Sequence, residues 1–341
     1  MSREIVDRIS DCVGVTPIVK IKHDLVPNDK QLFAKIESFN PNFSVKDRTA
    51  IGLVHSALAN GALKKNGLLI ESTSGNLGKS LAMLGAIYGF EVIVVVDPKV
   101  SPKVLNWYRA FGAQVDLVTE PHIEGGFQKA RIARVQELLE LHPGAYWPNQ
   151  YDNVSNKEYH YYKMGPEILE DVRSTSSDLV VGSVSTGGHL SGIGSYIKSH
   201  CEDVGVVAAD IAGSSIFGGK FTPYLINGVG LSWRSQNTDF SAFDNIVVAS
   251  DQMAISVCRE ISKSHGFLLG GSSGLVIFAA LSSLLHSEHR SALAILPDSG
   301  INYLDQIYDD DWLDSNGISL MGYEQLCDSL RRTPPSSVPE E

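Results

Sequence analysis

Lys46 stands in NPNFSVKDRTA (Asn40–Ala50), in a turn that opens a predicted helix, after a proline and a serine. A lysine at a helix start is ordinarily a solvated side chain whose charge opposes the helix dipole. One that works chemically in such a place has a lowered pKa, which suits Schiff-base chemistry with a carbonyl compound. Three further turns are rich in Gly, Ser and Thr, and each could receive an anion or polar ligand at a helix N-terminus. The first, ESTSGNLGKS (Glu71–Ser80), ends in Gly78, Lys79 and Ser80 like a P-loop. The P-loop pattern also needs a glycine five residues before Gly78, where Thr73 stands. An apolar run ending at Asp97 (VIVVVD) keeps ATP binding open as a weak alternative. The second turn, GSVSTGGHLSG (Gly182–Gly192), offers successive backbone N–H groups from Ser185 to His189 as an anion-binding nest. Its plain structural alternative is a tight turn that needs glycine for positive φ. The third, LLGGSSGLV (Leu268–Val276), matches a nucleophile elbow at Gly270–Gly274. A hydrolase would then need an acid and a histidine downstream in that order. No Asp or Glu lies between Ser272 and His286, and Asp298 and Asp305 have no histidine after them. The triad fails on chain order.

Turns of this kind need strands before them and helices after them. The apolar runs Leu68–Ile70, Val92–Val96, Val115–Val118, Leu179–Val181, Val206–Ala209 and Ala292–Leu296 lack alternation and read as strands buried on both faces. Between them, Asp47–Asn60, Gly78–Tyr88, Pro102–Phe111, Gly126–Leu141, Leu190–His200 and Leu275–His286 read as helices. The alternation predicts an α/β protein with mostly parallel sheets, in two lobes. Turn formers in PNQYDN place the boundary near Trp147–Asn153. The expected plan is an N-terminal segment 1–40 packing on the larger lobe, a smaller lobe 41–151, the larger lobe 152–325 and a flexible tail 326–341 ending in RTPPSSVPEE.

The composition narrows the class. With 28 Lys+Arg against 39 Asp+Glu, the net charge of −11 argues against a nucleic-acid-binding face. Apolar residues at 43% and charged residues at 20% are globular proportions. No apolar run approaches the roughly 18 residues of a membrane helix, and MSREIVDRISD has no secretory h-region. The four cysteines show no CxxC spacing, so neither a zinc site nor a disulfide framework is indicated. A cytoplasmic protein is the expectation.

Taken together and in order, NPNFSVKDR, STSGNLG, STGGHLSG and GGSSG resemble the fold type II (tryptophan synthase β-like) pyridoxal-phosphate enzymes, in the cysteine synthase and cystathionine β-synthase branch. The resemblance runs from about Val13 to Trp312. It implies pyridoxal 5′-phosphate as cofactor, small amino acids as substrates and a homodimer. Lys46 would form the Schiff base and then remove the substrate α-proton. Asn76 would bond the cofactor's 3′-oxygen, and Ser185, Thr186, Gly187, Gly188 and His189 would cradle its phosphate. Ser272 would meet the pyridine nitrogen, where a neutral hydroxyl favours elimination over transamination. Thr73, Ser74, Asn76 and Leu77 form the loop for the amino-acid carboxylate, and Gly228, Val229 and Gly230 match the segment lining the other side of the substrate cleft.

Two positions depart from the branch. Leu77 replaces a threonine of the sulfhydrylases, and His189 replaces a Thr or Ser of the phosphate loop. VVDPKVSP, EGGFQKARIARVQELL, YWPNQYDN and ILPDSGINYLDQIYDDDWL resemble the N-(2-amino-2-carboxyethyl)-L-glutamate synthases. These join O-phospho-L-serine to L-glutamate on the way to 2,3-diaminopropionate in siderophore pathways, and they too carry leucine at the Leu77 position. That resemblance assigns Arg131, Tyr151 and Ser185 to the second amino acid, whose carboxylates call for a guanidinium. Without it, Arg131 reads as a solvated helix charge and Tyr151 as a boundary aromatic. Lys220 and Arg234 are candidate partners for a donor phosphate. The alternatives are a sulfide-using cysteine synthase and, from other classes, an ATP-binding protein or a non-catalytic scaffold.

Overall fold

The computed structural model describes residues 5–123 and 126–340. Glu124 and Gly125, at the head of one of the resemblance strings, lie outside the described residues. The chain divides into two compact units.

The first unit comprises the N-terminal residues through Gly14 and Asn40–Asn156. Its strands β3 (Leu68–Ser72), β4 (Glu91–Val96) and β5 (Gln114–Leu117) form a parallel sheet in that order, with Leu68 opposite Glu91 and Ile93 opposite Gln114. Helices α1 (Lys46–Ala59), α2 (Asn76–Tyr88), α3 (Pro102–Ala110) and α4 (Gly126–Leu141) surround it. Parallel strands need long crossovers, and these helices supply them. The middle strand β4 is buried from Val92 to Val96, as its unbroken apolar run predicts. β5 differs: Val115 is half-buried and Leu117 is 54% exposed. It is an edge strand, covered on fewer sides than its sequence suggests.

The second unit comprises Val15–Phe39 and Lys157–Glu341, the boundary falling within α5 (Val154–Tyr159). Its seven-stranded sheet runs β1 (Ile18–Ile21), β2 (Gln31–Ile36), β9 (Ser291–Leu296), β6 (Leu179–Ser183), β7 (Gly205–Ile211), β8 (Asn245–Ala249) and β10 (Ser336–Ser337). The interior pairs are parallel and both outer pairs antiparallel. Every residue of β6 and β9 is buried. Helices α6 (Gly165–Thr175), α7 (Gly188–His200), α8 (Asp251–His265) and α9 (Gly271–His286) join these strands. Nearly all of α9 is buried, so it forms the spine of the core. Beyond β9 lie α10 (Asp310–Ser315) and α11 (Tyr323–Arg332).

The C-terminal segment is more ordered than its Pro/Ser composition predicts. Leu326 and Leu330 of α11 are buried in the core, and Ser336–Ser337 pair with Ile246 and Asn245 at the sheet edge. Likewise the stretch before Asn40 is shared between units, with Val15–Phe39 contributing β1 and β2 to the second. Among the described residues, no helix is long and apolar enough to cross a membrane.

Candidate functional site

In the first unit, the segment Asn42–Val45 is locked in place before Lys46. The Asp47 carboxylate accepts from the backbone and side-chain amides of Asn42 (both 2.7 Å) and from Ser80 Oγ (2.6 Å). Trp107 Nε1 donates to Asn42 Oδ1 at 3.2 Å. Phe43 has φ +61°, a left-handed conformation costly for a bulky side chain, and such strain gathers at functional loops. Ser44, Val45, Asp47 and Arg48 are buried while Lys46 between them is left partly open. Because Ser80 of α2 bonds Asp47 of α1, the helix starts that carry Lys46 and Asn76 lie side by side.

The loop between β3 and α2 is held from several sides. Thr73 N donates to Val95 O, Gly75 N to Thr73 Oγ1, and Tyr108 OH to Gly75 O at 2.7 Å. Gly78 has no room for a Cβ because the Tyr108 ring occupies that space. Ser74, Gly75 and Asn76 stay half-exposed, whereas Leu77 is buried. Lys79 lies 4.5 Å over the Trp107 ring, and Ser80 is bound to Asp47. Neither is arranged as the P-loop pair that grips a nucleotide's phosphates and magnesium.

Beside this loop is a buried polar network. Arg131, 7% exposed, donates through Nη1 to Asp97 Oδ2 at 2.8 Å and to Ser74 Oγ. Ser74 Oγ itself donates to Asp97 Oδ2 at 3.0 Å. Behind them Glu71 Oε1 accepts from Ser72 N (2.7 Å) and Trp147 Nε1 (3.1 Å), and Oε2 from Gln150 N. Burial pushes the Glu71 carboxyl up to about 7, against these hydrogen bonds and the Arg131 charge. Burial also raises the Tyr151 phenol, which interacts with Ser72 and Arg131. The structure thus brings Arg131 and Tyr151 together beside Thr73 and Ser74. Glu71 and Asp97 complete the network; their sequence signal was an acid at each of two strand ends.

In the second unit the loop from β6 to α7 has the form of an anion cradle. Gly187 has φ +80°, and a Cβ there would collide with Thr238. Ser235 Oγ donates to Thr186 O at 2.5 Å, and Gly230 N to Val184 O at 2.9 Å. Ser185 stays half-exposed while Thr186, Gly187, Gly188 and His189 are buried. The His189 ring packs inward, 5.4 Å edge-on from the His160 ring and near Gly182. Gly228 lies beside Ser272: a Cβ there would be 3.9 Å from Ser272 Oγ. Ser272, at the second position of α9, donates to Asp298 Oδ1 at 3.3 Å, and Tyr303 OH donates to Oδ2 at 2.7 Å. Asp298 is a neighbour that the failed hydrolase triad gave no reason to retain.

The two candidate partners for a donor phosphate differ in their surroundings. Arg234 stacks 3.8 Å over Phe240, and Lys220 is exposed.

In the first unit a partly open lysine stands at a helix start beside a hydroxyl loop, and in the second a glycine turn opens another helix. The family model of the pyridoxal-phosphate dependent enzymes matches residues 9–298. The chain belongs to this family. Its solved neighbours include an O-ureido-L-serine synthase (31% identity, TM-score 0.84, covering 91% of this chain and 100% of that one). A hydrogen sulfide-producing enzyme from Fusobacterium nucleatum is 30% identical, with TM-score 0.82 over 88% of this chain and 99% of its own. A cysteine synthase from Entamoeba histolytica is 29% identical, with TM-score 0.86 over 97% of each chain. The fold is therefore the type II pyridoxal-phosphate fold, and the chain is an enzyme of cysteine synthase-like type that uses this cofactor.

Proposed function

We propose that this enzyme performs β-replacement on an activated L-serine, O-phospho-L-serine by preference, with L-glutamate as the amine nucleophile. The product is N-(2-amino-2-carboxyethyl)-L-glutamate, a precursor of 2,3-diaminopropionate and of siderophore-type products. Lys46, Asn76, Ser185–His189 and Ser272 would hold the cofactor. The fit rests on the half-open Lys46 and on the Gly187 turn, which opens a helix N-terminus, the end where a phosphate is favoured. When bound, the cofactor supplies an electron sink for the substrate's α-carbon. Lys46 then moves the α-proton, and Thr73, Ser74 and Asn76 orient the amino-acid carboxylate.

The observation that carries the glutamate reading is Arg131, a buried guanidinium set against Ser74 and Tyr151 beside that loop. A dicarboxylic acceptor needs such a group, and sulfide does not. The Arg131–Asp97 ion pair supports a second reading, cysteine synthase, because part of the guanidinium's charge is already balanced. Mass spectrometry of products from serine donors with glutamate or sulfide separates the two. Losing a charge-assisted bond costs roughly 1.5–3 kcal/mol, so Arg131→Ala should weaken glutamate use by about one to two orders of magnitude. Cysteine formation untouched by that change, with no glutamate product from wild type, would establish the sulfide reading. A homodimer in the cytoplasm accompanies either reading, and sedimentation tests the dimer.

A further inference from the structure

Asp97 closes the apolar run that first suggested a nucleotide site, and the P-loop reading leaves it without a role. It is 4% exposed at the C-terminal end of β4, where parallel sheets place ligand-binding groups. Oδ2 receives both the Arg131 guanidinium (2.8 Å) and the Ser74 hydroxyl (3.0 Å), and Oδ1 receives the backbone amide of Lys99 (2.9 Å). One carboxylate thus ties α4 to the loop before α2. Arg131 keeps one unmet donor, since its buried Nε has no hydrogen-bond partner among the described residues. The guanidinium is therefore fixed and partly neutralised on one side and unsatisfied on another.

We propose that Asp97 is a specificity-determining residue that weakens the hold of Arg131 on the acceptor's carboxylate. This rests on the glutamate reading above. The product retains both carboxylates of glutamate, so any grip on the acceptor is also a grip on the product. Binding the two equally tightly slows release without helping the chemistry. A buried carboxylate 2.8 Å from the guanidinium lowers that grip by opposing charge, while Ser74 and Arg131 stay positioned.

Asp97→Asn keeps the shape and removes the charge. Glutarate, a dicarboxylate lacking the reactive amine, serves as a probe of binding to the cofactor-loaded enzyme by titration calorimetry. Its dissociation constant should fall roughly tenfold in the variant. KM for glutamate and kcat should fall together as product release becomes limiting. The gain should vanish in Arg131→Ala/Asp97→Asn, because it acts through Arg131. Asp97→Ser, a smaller neutral acceptor for Ser74, should change glutarate binding in the same direction if the asparagine variant fails to fold. Unchanged or weaker glutarate binding in the folded variants, or a gain that survives loss of Arg131, overturns the proposal. Turnover of wild type with glutamate judges the acceptor reading separately, since glutarate binding needs no turnover.

Discussion

At the scale of single residues, the site depends on side chains held by neighbours that do no chemistry. Lys46 is half-open because Ser44, Val45, Asp47 and Arg48 around it turn inward, and Asp47 alone accepts three hydrogen bonds. The anchoring belongs to Asp47, so Lys46 can be replaced without unfolding the turn. Lys46→Ala should abolish turnover and the cofactor's visible, borohydride-bleachable absorbance. Circular dichroism and the unfolding midpoint without cofactor should stay close to wild type. A variant that turns over normally would remove Lys46 from its assigned role. Leu77 shows the same logic in reverse. Being buried, it fills space in the first unit where a hydroxyl-bearing residue was the family pattern, and the open positions are Ser74, Gly75 and Asn76.

At the scale of elements, the candidate residues of each unit stand at helix starts. α1, α2, α7 and α9 each follow a turn whose conformation is set by close contact: Asn42 on Asp47, Tyr108 on Gly78, Thr238 on Gly187 and Asp298 on Gly270. Gly187 is the most constrained, having both positive φ and no space for a Cβ. Gly187→Ala must move the loop away from Thr238 or distort it, at a cost of about 1–3 kcal/mol. Affinity for pyridoxal phosphate should fall roughly ten- to a hundredfold by fluorescence titration. Pyridoxal, which lacks the phosphate, should lose much less. Equal losses for both would mean that this turn does not hold the phosphate.

At the scale of the whole molecule, two buried acids couple folding to pH. Burial raises Glu71 from 4.5 and Asp210, at the end of β7, from 3.8, both to about 7. Between the unfolded and folded values, the folded chain keeps a proton that the unfolded chain has lost. Stability from these groups is therefore complete below about pH 4 and declines until about pH 7, where both states are ionised. Each contributes roughly 3–4 kcal/mol at most across that window. Urea titrations from pH 4 to 8 should show a shallower decline in Glu71→Gln and in Asp210→Asn than in wild type. Variants with the wild-type slope would mean that these carboxyls titrate as exposed ones. The net charge of −11 adds repulsion in the same direction, so slopes rather than absolute stabilities carry the comparison.

The alternating strands and helices, the α/β plan and the glycine turns are legible in the amino-acid order alone. Each is local: an unbroken apolar run of three to five residues, or a cluster of glycines between a strand and a helix, needs no distant partner to be recognised. β1, β2, β8 and β10 escaped: β1 and β10 are short edge strands, Lys35 interrupts the apolar run of β2, and Val248 leaves β8 partly exposed. β5 was read as buried because apolar runs do not reveal which strand ends a sheet. The family resemblance also named Lys46, Asn76, Ser185–His189 and Ser272 as candidates. Only the tertiary structure decided what stands behind them. Asp97 is thirty-four residues from Arg131 and Asp298 twenty-six from Ser272, and no periodicity relates either pair. Their carboxylates meet those partners because parallel strands deliver their C-terminal ends to a common edge, where buried charge must find a donor.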